Sequence, residues 1–238
     1  MKQLKLAALA VVCALGATSA MAAGSGKPSV GVIEFKNESG AAWWSGGVGW
    51  ELSGMLSNEL AATNSFRVVE RAKLESVLAE QNLGASGRVS GKSAAKMGKI
   101  TGAEYLVAGT VTSYQENASG TGGGISIKGI SLGGNSSNAY IAVDIQVINS
   151  TTGEIEFTRT IEGNAKSSGV SVGVARGGFG GSLSQQNNTP AGKAIRAALV
   201  EATDYLSCVM VEKNGCEAEY QAKDKKRREK DRKALKLD

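Results

Sequence analysis

The sequence predicts an α/β fold, a mixed sheet flanked by helices. Three observations predict it. Short runs of β-formers alternate with segments of helical period through about residue 114, in the order β-α-β-α-α-β. Two later stretches, 140–149 and 154–161, alternate apolar and polar residues with a period of two and are joined by Ser150-Thr151-Thr152-Gly153. A Thr189-Pro190 start then opens a closing amphipathic helix.

The elements follow in order. Residues 27–35, KPSVGVIEF, form a buried strand ending at a polar turn, and residues 40–49, GAAWWSGGVG, form a loop. Leu52, Met55, Leu56 and Leu60 repeat at helical spacing within 48–63. A short strand over 66–69 precedes a second amphipathic helix over 70–82, with Leu74, Val77 and Leu78 on one face. A Gly/Ser loop leads to a short helix expected from about Ser90 to Lys99, and 104–114 is a strand. In 140–149, Ile141, Val143, Ile145 and Val147 point inward. The last helix runs to about Leu206 with Ile195, Leu199, Ala202 and Leu206 inward. Between the core strands lie two Gly-rich insertions, 113–140 and 160–189, both expected to be long hairpins.

Composition narrows the function classes. The chain has 238 residues, 42% of them hydrophobic, enough for a packed core. It contains 32 glycines, 2 prolines and no histidine. Without histidine there is no Ser-His-Asp or Cys-His catalysis and no His-ligated zinc. Residues 1–23 combine basic Lys2 and Lys5, an apolar stretch from Leu6 to Leu15 and Ala20-Met21-Ala22, the pattern of a cleaved secretory signal peptide. The net charge of +5 falls to +3 once Lys2 and Lys5 are removed. Residues 222–238 hold nine Lys/Arg and four Asp/Glu, a net +5, so the rest of the exported chain carries 3 − 5 = −2. The basic tail is expected to be a solvated helix of mixed charge that buries little, and no nucleic-acid partner is expected outside the cytoplasm. Cys208 and Cys216 flank the turn-former pair Asn214-Gly215, and in an oxidising compartment they are expected to pair as a disulfide, with two buried thiols as the alternative. The domain plan is a signal peptide over 1–23, an α/β domain over 24–207 and a Cys-pair turn with charged tail over 208–238.

Two motifs fail on inspection. Residues 84–93, GASGRVSGKS, resemble a phosphate-binding loop, but Ser86 stands where the first glycine belongs and a helix precedes it. Gly47-Val48-Gly49 lacks the third glycine of a dinucleotide fingerprint. Glu154 and Glu156 share a strand face without a polar cluster around them. No catalytic residues, cofactor or metal site are expected. Trp43 and Trp44 are either a contact or constriction surface or rings tucked beside the first strand.

The block Val68-Val69-Glu70-Arg71-Ala72-Lys73-Leu74, the run Leu78-Ala79-Glu80-Gln81 and the strand Gly102 to Val111 resemble the CsgG/HfaB family of curli and holdfast secretion proteins. So do Ala142-Val143-Asp144, the stretch Val147 to Ile155 and the closing Asn188-Thr189-Pro190. The likeness spans roughly residues 28–207. It implies a periplasmic α/β domain assembled into a homo-oligomeric ring at the outer membrane. Each subunit would donate two β-hairpins to one shared barrel. A loop after the first strand, here Trp43, Trp44 and Ser45, would narrow the channel. It also implies nucleotide-independent export of curli-type or other extracellular fibre proteins, with an exported substrate and accessory secretion proteins as partners. This chain departs from the family in its loop tryptophans, in having no lipid-anchoring cysteine at the cleavage point and in hairpins richer in Gly and Ser than a lipid-facing strand. The same residues also suit a soluble periplasmic scaffold of this fold that binds cell-envelope proteins.

The hairpins carry the pattern that decides between these. Val170, Val172 and Val174 alternate with Gly169, Ser171 and Gly173, and Ile125 and Ile127 with Ser126 and Lys128, while Ile130 and Leu132 continue with shifted parity, as a β-bulge would produce. Phe179 and Leu183 share one face. The expected membrane-facing set is therefore Ile125, Ile127, Ile130, Leu132, Val170, Val172, Val174, Phe179 and Leu183.

Overall fold

A computed structural model describes residues 26–120, 125–127, 130–172 and 189–236, with backbone pairing alone given for the strand residues between 117 and 137 and from 166 to 172. The signal-peptide segment and Val174, Phe179 and Leu183 lie outside the described residues. Seven strands form one mixed sheet in the order β3-β1-β4-β6-β5, with β2 on β4 and β7 on β6. The strands are β1 (Ser29–Val32), β2 (Lys36–Asn37), β3 (Arg67–Val68), β4 (Tyr105–Gly120), β5 (Ile125–Ile127), β6 (Ile130–Asn149) and β7 (Ile155–Val172). The helices are α1 (Val48–Ala62), α2 (Leu74–Ala85), α3 (Pro190–Ser207) and α4 (Cys216–Ala234), with a π-helical turn, Cys208–Glu212, after α3. β1 runs parallel to β3 and β4, whereas β4, β6 and β7 are antiparallel.

The period-two pattern sets the layers. Val107 and Val111 of β4, Ile141 to Val147 at odd positions of β6, and Ile161 of β7 are buried against Leu52, Leu56 and Leu60 of α1 and Ile195, Leu199 and Leu206 of α3. The opposite face, with Thr110, Asp144, Gln146 and Thr160, is half-buried. At Gly163 an added Cβ would collide with the Ala194 carbonyl oxygen, so the missing side chain is what lets α3 lie close on β7.

Several boundaries depart from the sequence expectation for local reasons. The first strand stops at Val32 because Phe35 turns out of line and lays its ring over Gly109, where an added Cβ would strike it. The helix expected from residue 70 begins at Leu74. The Glu70 carboxylate accepts from the backbone N–H of Ala72 (2.8 Å) and Lys73 (3.2 Å) and holds those residues in a turn. The short helix expected over 90–99 is a succession of turns that rests on Gly84 of α2, where an added Cβ would come within 2.9 Å of the Ala95 carbonyl. A two-turn helix without an apolar stripe gains too little packing to offset nucleation. α3 starts as the sequence predicts, with the Thr189 hydroxyl accepting from Gly192 N–H at 3.1 Å.

The tail is helical and none of the residues of its helix is buried, although Asp224 reaches Arg159. Cys208 and Cys216 form a disulfide with Cα atoms 6.0 Å apart. Gly215, at φ +92°, turns the chain between them, and Asn214 Oδ1 accepts from Cys216 N–H at 3.1 Å. α4 then returns along the edge of β7. Closing a loop with a sequence separation of 8 is expected to stabilise the fold by about 2–3 kcal/mol through the unfolded chain. Cys216→Ser is expected to lower the denaturation midpoint accordingly. Labelling of both thiols in non-reduced protein would contradict the pairing.

Candidate functional site

β4, β6 and β7 continue past the body as one antiparallel ribbon. Among the residues whose burial is described, Ala139 is the last buried one of β6 on the way out, and pairing persists from Asn138 to Leu132 on both sides or on one. The register sets Ile125, Leu132 and Val172 in one cross-strand row, Ile127 opposite Ile130 two residues along, and Val170 opposite Gly134 two residues the other way. Residues in a row, and in every second row, share one face of a β-ribbon. Six residues of the expected membrane-facing set thus fall on a single face. The other face reads Ser126, Ser131, Gly133, Ser171, Asn135 and Gly169. The shifted parity of Ile130 and Leu132 is not a bulge. The chain reverses between Ile127 and Ile130, which pair with each other.

The tryptophan loop sits at the root of this ribbon. A bulge between Val111 and Ser113 switches the parity of β4, so that Tyr114, opposite Ile141, joins the helix-covered face. There its ring meets Trp43 edge-on at 5.3 Å, and Trp43 stacks at a tilt against Trp44 at 5.6 Å. Both tryptophans are half-buried against the core and Ser45 is exposed. Trp43 Nε1 is buried with no hydrogen-bond partner among the described residues. Tyr114 donates to Glu116 at 2.7 Å, and burial together with that carboxylate pushes its hydroxyl well above the ordinary tyrosine range.

A second cluster escapes the sequence motifs. Arg159 stands on the inward parity of β7 between Phe157 and Ile161, its side chain only 8% exposed. It donates to the Tyr220 carbonyl at 2.8 Å and pairs with Asp224 at 3.5 Å. Its guanidinium lies 4.8 Å from the Tyr220 ring centroid and 5.4 Å from that of Tyr205, and the two rings meet edge-on at 5.3 Å. Burial, with Glu201 and Asp204 nearby, raises Tyr220 to about 12. A charged residue at a core-facing position was the available signal. Its partners come from a helix 61 residues away in sequence, so no local pattern could supply them. Among the described residues of the tail only Asp224 joins this cage, and no residue of α4 is buried, as the tail's composition leads one to expect.

Farther along, a cleft of about 390 Å³ lies between α4 and β7, lined by Glu162, Asn164, Ala197, Glu201, Asp224 and Arg227 among others. Tyr140 donates to Glu162 at 3.1 Å and is raised to about 12, chiefly by burial and by that carboxylate. Among the described residues, no group of three or more His, Cys, Asp or Glu side chains is placed to hold a metal ion. None of the described helices is long and apolar enough to cross a membrane.

The arrangement is an α/β body continued by a strand ribbon, whose register sets Ile125, Ile127, Ile130, Leu132, Val170 and Val172 in rows of one face. The sequence pattern of the curli production assembly/transport component CsgG matches residues 14–235, and the chain belongs to that family. No curated protein matches the chain. Among solved structures it is similar to a lipoprotein of Neisseria meningitidis, with 17% identity over 59% of this chain and 84% of that one, at a TM-score of 0.34. The PelC dodecamer of Paraburkholderia phytofirmans gives 13%, 74%, 85% and 0.33 in the same terms. The LpoB C-terminal domain of Salmonella enterica gives 17%, 57%, 82% and 0.32. At that level of similarity these structures bear on neither the fold nor the function of this chain.

Proposed function

We propose that this chain is a subunit of an oligomeric outer-membrane channel that exports curli-type or other extracellular fibre proteins without nucleotide. The observation that carries the reading is the register of the ribbon, which gathers Ile125, Ile127, Ile130, Leu132, Val170 and Val172 into rows of one face opposite Ser, Gly and Asn. An apolar-out, polar-in strand is what a barrel wall in lipid requires. One chain offers too few strands to close a barrel, and open edges are not tolerated in lipid, so the wall has to be shared among copies in a ring. Trp43, Trp44 and Ser45 then occupy the lumen side of the ribbon's root. Parity supports this, since Tyr114, which touches Trp43, lies on the face that continues into the polar rows. The pair would narrow the entry to the channel, while the exported chain and accessory secretion proteins are the partners. The export route is through the signal peptide to the periplasm and the outer membrane.

A soluble periplasmic scaffold is the second reading, favoured by the few apolar rows and by the absence of Trp or Tyr from residues 115–137 and 165–188. Native protein extracted in detergent and viewed by electron microscopy separates the two. Closed rings in the membrane fraction are the expected result, and monodisperse monomers in the soluble periplasmic fraction would overturn the channel reading.

A further inference from the structure

We infer that the outward face of the C-terminal half of α4 is an electrostatic docking surface for the anionic phospholipid headgroups of the bilayer that the ribbon enters. The inference rests on the channel reading and adds to it a contact outside the barrel. Residues 225–236 hold eight Lys/Arg and two Asp/Glu, a net of 8 − 2 = +6, whereas Glu217 and Glu219 make the first turn acidic. Tyr220, Asp224 and Arg227 face the body through the Arg159 cage and the cleft beside β7. At 100° per residue, Lys225, Lys226, Arg228, Lys230 and Lys233 fall on the remaining arc, and all five are exposed.

The position of α4 says what this charge meets. Near its start, Tyr220 touches Arg159, which pairs with Ile145 of β6. One turn past Asp224, Arg227 lines the cleft with Glu162 and Asn164, and Asn164 pairs with Tyr140. Arg227 and Asp231 both act electrostatically on Tyr140. From Tyr220 to Asp231 the helix advances roughly 16 Å, and from Ile145 to Tyr140 the strand advances roughly 17 Å. α4 therefore keeps pace with the ribbon toward its far end. Residues 232–236 reach the level of Ala139, the last residue of β6 described as buried on the way to the ribbon. Tyr140 and Glu162 stand on the even-numbered face of β6 and its partners, the face that continues into the rows of Ile130, Leu132 and Val172. α4 lies at the β7 edge and borders residues of both faces, Arg159 on the helix-covered one and Glu162 and Asn164 on the other, so a ribbon that enters lipid brings the basic end of α4 to headgroup depth at that edge. Clusters of Lys and Arg at that depth bind anionic lipid and release it as salt rises.

The test is co-sedimentation of the full-length exported protein with vesicles of phosphatidylglycerol and phosphatidylethanolamine, against vesicles of phosphatidylcholine alone. Binding to the anionic vesicles alone, weakening with added salt, is expected. Lys225→Gln, Lys226→Gln, Arg228→Gln, Lys230→Gln and Lys233→Gln combined leave the body contacts intact and are expected to weaken that binding on the order of a thousandfold. Lys225→Arg, Lys226→Arg, Lys230→Arg and Lys233→Arg combined keep the charge and are expected to bind like wild type. Undiminished binding by the glutamine variant overturns the inference, as does equal, salt-insensitive binding of the wild type to phosphatidylcholine. Val172→Arg separates the two proposals: it is expected to abolish insertion and ring formation while the salt-sensitive binding persists. Rings that form normally in Val172→Arg would instead count against the channel.

Discussion

Val172→Arg protein is expected to appear in the soluble fraction and to form no rings. Val172 shares a cross-strand row with Leu132 and Ile125, in the centre of the apolar set. An arginine on the lipid face of a barrel costs about 2–4 kcal/mol near the bilayer midplane. A ring repeats that cost once per subunit, so a modest change per chain becomes decisive for the assembly. On a water-exposed hairpin the same change lies within about 0.5 kcal/mol. Ser171→Arg is the control. Ser171 pairs with Gly133 one position along and belongs to the polar face, so it is expected to assemble in the membrane. Fractionation and electron microscopy of both variants, beside wild type, read the result. A Val172→Arg protein that fractionates and assembles like wild type would give the scaffold reading its place.

Arg159→Ala is expected to destabilise the body by about 2–4 kcal/mol, read as a lower midpoint in urea unfolding. Removing one partner of a buried ion pair leaves the other uncompensated, which costs up to about 5 kcal/mol where both are fully buried. Here Asp224 is 23% exposed, so water recovers part of the loss. The change also uncovers the Tyr205 and Tyr220 rings on which the guanidinium rests and leaves the Tyr220 carbonyl without its 2.8 Å donor. Arg159→Met keeps the volume and is expected to lose less, in the manner of buried ion pairs replaced by apolar groups. Truncation before residue 223 removes Asp224 and is expected to resemble a mild form of Arg159→Ala, in place of the silent deletion that the tail's composition suggests. Midpoints unchanged within error in Arg159→Ala would show that the cage contributes nothing.

The body was largely legible because its signals are local. Period-two alternation in 140–149 and 154–161 marks β6 and β7, and Thr189-Pro190 marks the start of α3 at Pro190. Those patterns report burial on one side of one element, which a single stretch of sequence can encode. The misses come from contacts between distant stretches. β1 ends where it does because Phe35 finds room over Gly109, 74 positions later in the chain. The turns over 90–99 follow from the close approach to Gly84. The set Ile125 to Val172 was readable as alternation, but its grouping into rows needed the pairing of three strands. The Arg159 cage needed the return of α4 along the edge of β7, which nothing within the tail announces.

β6 carries a reversal of phase with consequences for the chain before it assembles. In the body its odd positions, Ile141 to Val147, are the apolar ones, and α1 and α3 shelter them. In the ribbon its even positions, Ile130 and Leu132, are the apolar ones. In the channel reading one strand therefore obeys two solvents in turn, and the apolar rows of its second half find their cover in lipid or in another copy. For a channel subunit crossing an aqueous compartment, the folded monomer is then a species in transit. Its lifetime is set by how soon it meets its neighbours, and the rows that commit it to the membrane also make delay hazardous, because unsheltered strand edges pair with whatever arrives first.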